Sequence, residues 1–124
     1  MSYDARYQVL DDYVRIDVAG QRTPGDVAAD SAEVIRHTIE LFEEHGLTKC
    51  LCVLRLEGPL SALDAFEIVT TSEDMGWQRN YRVAFVELNA DALEDTRFTE
   101  IVAGNRAYPV RVFETETEAM EWLL

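Results

Sequence analysis

"KCLCVLRL", residues 49–56, is apolar at nearly every position and lacks the alternation of a strand that keeps one face in water. That pattern belongs to a strand covered on both faces, as in a parallel sheet flanked by helices. "YRVAFVEL", residues 81–88, has the same character. The two segments are expected side by side in the middle of one layer, with helices packed on it.

Working outward toward the N-terminus, Arg6 to Val18 reads as two strands around Asp11 and Asp12, with Val14, Ile16 and Val18 alternating against Tyr13, Arg15 and Asp17. A hairpin is predicted there. "RTPGDV" then reads as a helix start, with Thr23 as N-cap, Pro24 at the first helical position and Asp26 in the first turn. Its apolar face is Val27, Val34, Ile35, Ile39, Leu41 and Phe42, and Gly46 closes it, with Leu47 placed to fold back near Phe42.

Toward the C-terminus, a helix is expected from about Ser61, carrying Leu63, Phe66 and Val69 and losing definition near "SEDMGW". After residues 81–88, Asn89 or Asp91 can cap a helix whose inner face is Leu93, Phe98, Ile101 and Val102, and "GNRAYP" breaks it. "VRVF" is the last strand. Thr115 and Glu118 form a capping box for a short helix with Ala119, Trp122 and Leu123 on one side. The order ββαβαβαβα implies an α/β fold: a mixed, mostly parallel five-stranded sheet with four helices, one domain over residues 1–124.

The 124 residues, 48% of them hydrophobic, suffice for one substantial core. No apolar run approaches the roughly 18 residues of a membrane span, and the opening "MSYDAR" has neither a basic n-region nor an apolar h-region, so a cytoplasmic location is expected. A formal net charge of −13 argues against nucleic acid and anionic membranes as partners; a charged partner should carry basic patches. The plainer reading is that the acid excess serves solubility, which the single lysine, Lys49, among ten arginines also fits.

Residues capable of chemistry have structural explanations. Cys50 and Cys52 fall two apart in an apolar strand, on one face and too far apart to bridge, so both are expected as reduced core residues. His37 and His45 are about 80° apart around a helix and two turns along it, too distant to share a metal. The acids Asp91, Glu94, Asp95 and Glu114, Glu116, Glu118 sit at first helical turns, where the dipole favours negative charge. A response-regulator receiver is excluded, because Asp11-Asp12 leads into a strand and "VRVFET" has no lysine. No catalytic residue, metal ligand or cofactor is therefore expected. Ligands in open α/β sheets gather at the loops after the strands, which makes Glu57, Asn89 and Glu114 the polar groups expected to converge there, against the alternative that each is a solvated strand end. Met75, Trp77 and Tyr81 lie among polar residues and are candidate interface anchors, with the alternative that Trp77 closes its helix against the sheet.

The element order and size resemble the STAS domain, the fold of bacterial anti-sigma-factor antagonists. "YRVAFVEL", the helix with "FTEIVAGNR" and the ending "VRVFETETEAMEWL" resemble the tail of small STAS/SEC14-type bacterial proteins, in which a strand ending in Phe leads into a helix ending Ala-x-x-Trp-Leu. The likeness is specific over residues 81–124; the first half matches in layout. It implies a non-enzymatic role in regulation, by docking to another protein or to a second copy of the chain. The alternative it implies is a small-molecule or lipid-binding protein of SEC14 type. In anti-sigma-factor antagonists a serine between the third strand and second helix is phosphorylated, and Ser61 stands in the corresponding loop. The family's Asp-Ser-Ser/Thr-Gly is here Pro59-Leu60-Ser61-Ala62, without an adjacent hydroxyl or a following glycine. Ser61 is thus a phosphoacceptor candidate or a helix cap, and Asp64 would repel a phosphate on it.

Overall fold

A computed structural model describes residues 3–124; Met1 and Ser2 of the segment read for an export signal lie outside them. The strands are β1 (Tyr3–Val9), β2 (Val14–Gln21), β3 (Lys49–Glu57), β4 (Arg82–Glu87) and β5 (Val110–Phe113), and the helices are α1 (Val27–His45), α2 (Ala62–Asp74), α3 (Leu93–Asn105) and α4 (Glu116–Leu123). The five strands lie in sequence order, β1-β2-β3-β4-β5, with β1 antiparallel and the others parallel. Cys50 pairs with Val83 and Leu54 with Glu87, so the two apolar segments do run side by side.

This order sets the layers. Right-handed crossovers between strands that always step in the same direction must place every connecting helix on one face. The buried side chains agree: Val14, Ile16, Val18, Cys50, Cys52, Leu54 and Val83 face α1, with its Ile39 and Phe42. Val69 of α2 packs with Val102 and Ala103 of α3 on the same side. On the opposite face α4 buries Ala119 and Leu123 against Leu51, Val53, Ala84 and Val86. That single short helix leaves the outer part of the rear face to a charged cluster, in which Arg15 bridges Asp17 and Glu116 and Arg55 reaches Asp17.

Local signals mostly act as expected. Gly46 caps α1 in the left-handed conformation, and Leu47 donates its N–H to the Phe42 carbonyl. Thr115 accepts from the Glu118 N–H at the start of α4. The entry to α1 differs from the expectation. Thr23-Pro24-Gly25-Asp26 is a turn closed by the Asp26 N–H on the Thr23 carbonyl, with Gly25 at φ 88°, and the helix begins at Val27 with Asp26 in the N-cap position. Pro followed by a positive-φ Gly is the type II turn signature, and here it overrides the reading of Pro24 as a first helical residue. A single 3-10 turn, Ala90–Ala92, capped by Asn89, precedes α3.

The inner faces of α2 and α3 also differ. Small and hydroxylated residues are buried there, Ala65 with Val69 in α2, and Thr96, Thr99, Val102 and Ala103 in α3. Leu63, Phe66, Phe98 and Ile101 were expected inside, but they are 64%, 44%, 38% and 58% exposed. α2 packs mainly on its neighbours α1 and α3; small residues sit on the packed side of α2 and α3, and the bulky ones turn outward.

Candidate functional site

Three places carry unusual chemistry: the rim at the carboxyl ends of the strands, the interior between the sheet and the three-helix layer, and the outer seam between α2 and α3.

A shallow groove at the rim is lined by residues that include Arg55, Glu57, Pro59, Asn89, Asp91 and Asp95. Glu57 and Asn89 both line it, whereas Glu114 is not among the lining residues. Asn89 is committed to the backbone: its side chain accepts the Asp91 N–H and donates to the Leu56 carbonyl, each at 3.1 Å. Ser61 is exposed and N-caps α2, its Oγ accepting the Asp64 N–H at 3.0 Å. Asp95 reaches the neighbouring Leu60 N–H, so a second carboxylate stands near the serine.

Beneath the rim lies a group the sequence reading did not single out. Arg22 and Glu87 form a buried ion pair, Glu87 accepts the Thr96 hydroxyl at 2.6 Å, and Arg22 donates to the Gly58 carbonyl. Gly58 has φ 93°, and a Cβ there would stand 3.0 Å from the Arg22 carbonyl oxygen, so the loop after β3 is seated on this network only as glycine. The signal was available: Glu87 shares side-chain parity with Val83 and Phe85, and Arg22 shares it with Val14, Ile16 and Val18.

Between the sheet and α1, α2 and α3 is a void of about 150 Å³ with largely apolar walls. Pockets for drug-sized ligands run from about 300 Å³, so this space is too small for a lipid of the SEC14 type. Cys50 and Cys52 line it on one face of β3, both free. Burial pushes the Cys50 thiol up to about 12, and burial first, then Cys50, raises Cys52 well above its ordinary value. Thiols so placed pack as small apolar side chains and do not serve as nucleophiles.

The α2–α3 seam is the outer surface of the same layer. Phe66 lies under the Arg106 guanidinium, 5.3 Å from its ring centre, which puts it on the side of α2 that faces α3. Asp95 reaches the entry of α2, and Phe98, one turn on, shares that stripe of α3. Phe66 and Phe98 therefore flank the seam, with Leu63 and Ile101 beside them facing solvent. Glu73 closes its far end through Arg106 and Tyr108.

Met75, Trp77 and Tyr81 do not fit the role of interface anchors. Tyr81 is buried, Met75 and Trp77 pack against the main core, and Phe42, Trp77 and Tyr81 form an aromatic cluster with ring centres 4.7 to 5.8 Å apart. Large aromatic surfaces next to an open helix end are better covered by the core than by water. His37 stacks on Tyr7 at 4.2 Å. Among the described residues no three His, Cys, Asp or Glu side chains come together to hold a metal, and no helix is long and apolar enough to cross a membrane.

With this architecture in place, the comparisons are specific about fold. An anti-sigma factor antagonist from Mycobacterium paratuberculosis superposes with a TM-score of 0.55 over 98% of this chain and 94% of its own, at 14% identity. A protein of the DUF3478 family with a SpoIIAA-like fold, from Shewanella loihica, gives 0.54 over 99% and 94%, at 19% identity. The protein TM1081, solved by NMR, gives 0.50 over 94% and 86%, at 18% identity. No protein-family model matches the chain, and no curated protein matches its sequence. The chain thus has a SpoIIAA-like fold, in line with the STAS-like architecture that its element order and closing segment led us to expect.

Proposed function

We propose that this domain is a non-enzymatic regulatory module that acts by docking to a partner protein through the α2–α3 seam. The observation that carries the reading is the exposure of four large apolar side chains, Leu63, Phe66, Phe98 and Ile101, on two neighbouring helices. Apolar side chains grouped in this way mark interaction surfaces, whereas scattered ones do not. The likeness to an anti-sigma factor antagonist supports a regulatory role. Glu67 and Glu94 stand exposed on the same helices, and the net charge is −13, so the partner's contact surface should combine apolar anchors with basic residues. In this reading Ser61 acts as the helix cap, since Asp64 and Asp95 oppose a phosphate beside it.

The test is affinity capture from the source cells with the wild-type chain, with Phe66→Asp/Ile101→Asp, and with the exposed control Glu114→Gln, which lies off the seam. Unchanged thermal midpoints should accompany loss of one defined protein from the seam variant alone. Capture of the same proteins by all three chains would refute docking at the seam. Sedimentation of the purified chain tells whether a second copy occupies the surface instead.

A further inference from the structure

We infer that the interior void is a binding site for a small, mainly apolar molecule bearing a single hydrogen-bonding group, with that group held by Thr99. The void, about 150 Å³, has the volume that in other proteins accommodates a molecule of about the size of benzene. Its walls come from the sheet, through Ile16, Val18, Leu54 and Phe85, and from the helices, through Val69 and Ala103.

What distinguishes the void is its polar lining. Thr38 donates to the Val34 carbonyl, Ser72 to the Ile68 carbonyl, Thr96 to Glu87 and Tyr108 to Glu73, and Arg22 is held by Glu87 and Gly58. Ser31 is hydrogen-bonded to Tyr3. Thr99 is different: it lines the void, is 6% exposed, and its Oγ1 has no hydrogen-bond partner. The hydroxyls of Thr38, Thr70 and Ser72 bond back to the carbonyl four residues earlier, as helical hydroxyls commonly do. Thr99 forgoes that bond.

A water is a poor match for such a space. Buried waters typically need two to four polar partners, and of the buried side-chain nitrogen and oxygen atoms lining this void only Thr99 Oγ1 lacks one of its own. An apolar body with one hydroxyl or carbonyl satisfies Thr99 and fills the remainder with dispersion contacts. The inference is independent of docking at the seam.

Benzyl alcohol and toluene, of similar shape and differing by the hydroxyl, are the probes, titrated into the full chain and followed by NMR shifts of Leu54, Val69, Thr99 and Ala103. Both should give saturable shifts confined to these residues. Thr99→Val, nearly isosteric, should weaken benzyl alcohol by about threefold to tenfold and leave toluene within about twofold, the effect of one lost hydrogen bond. Cys52→Leu narrows the void and should abolish binding of both while the spectrum stays folded. Absence of saturable shifts, shifts confined to Phe66 and Phe98, or an equal response of both probes to Thr99→Val would overturn the inference.

Discussion

Arg22 and Glu87, 65 residues apart in sequence, meet with a guanidinium nitrogen 3.4 Å from Glu87 Oε1, their side chains 3% and 0% exposed. The pair joins the end of β2 to the end of β4 beneath the rim. Thr96 and the Asn89 N–H complete the carboxylate's hydrogen bonds, so three connections converge on one buried acid.

Removing either partner strands the other charge in the interior. Arg22→Met and Glu87→Leu should each destabilise the domain by about 3–5 kcal/mol, and the double variant by less than their sum. Urea denaturation of the four proteins checks this; additive losses would mean that the two charges do not depend on each other.

Ser61 is a cap by geometry. Ser61→Ala should cost about 1 kcal/mol, and Ser61→Asp, which can accept the same Asp64 N–H, should be close to neutral. Thermal denaturation decides, since an unchanged midpoint in Ser61→Ala would deny the capping bond any stabilising role.

The rear-face cluster should add acid sensitivity. Arg15 first, and Arg55 for Asp17, hold the Asp17 and Glu116 carboxyls below their ordinary values. Groups with depressed folded-state values contribute stability above the unfolded value, near pH 4, and lose it as pH falls through the folded value. The stability difference between wild type and Arg15→Gln should therefore be flat from neutral pH down to about pH 5 and shrink below it. Both acids are partly exposed, so added salt should reduce the difference throughout. A difference that grows on acidification contradicts the assignment.

Native Cys50 and Cys52 should resist alkylation at pH 8 and react once denaturant opens the fold, because burial disfavours both thiolates. Mass spectrometry of iodoacetamide-treated protein measures it, and rapid labelling under native conditions would mean that β3 is accessible to solvent.

The fold was legible because its strongest signals are local. Residues 49–56 and 81–88 lack alternation, and the glycine after α1 and the Thr115 box mark helix ends whatever surrounds them. Sidedness was less legible. In α2 and α3 the hydrophobic pattern points to Leu63, Phe66, Phe98 and Ile101, while the packed stripe is Ala65, Thr96, Thr99 and Ala103. Periodicity marks apolar residues on a helix, but whether a neighbour sits close enough to demand small ones is a tertiary matter. Glu87 and Arg22 were missed for a related reason. A charged strand end normally reaches water, and only strand parity combined with the layer above reveals that these two cannot. The aromatic group at Trp77 was ambiguous from the start, because polar neighbours in sequence say nothing about Phe42 waiting across the fold.

The sequential order of the strands bears on how the chain comes into being. Each strand finds its template in the one synthesised just before it, so the sheet can extend across the domain in the direction of translation. No early strand must stay open for a late insertion, and at each stage a single growing edge is left unpaired until the next strand arrives. Each parallel pairing still has to close over one intervening helix, 36 residues from Val14 to Cys50 and 33 from Cys50 to Val83, so the closures set the pace of folding. The Arg22–Glu87 pair can close only after β4 has been made, and its third partner, Thr96, arrives later still with α3.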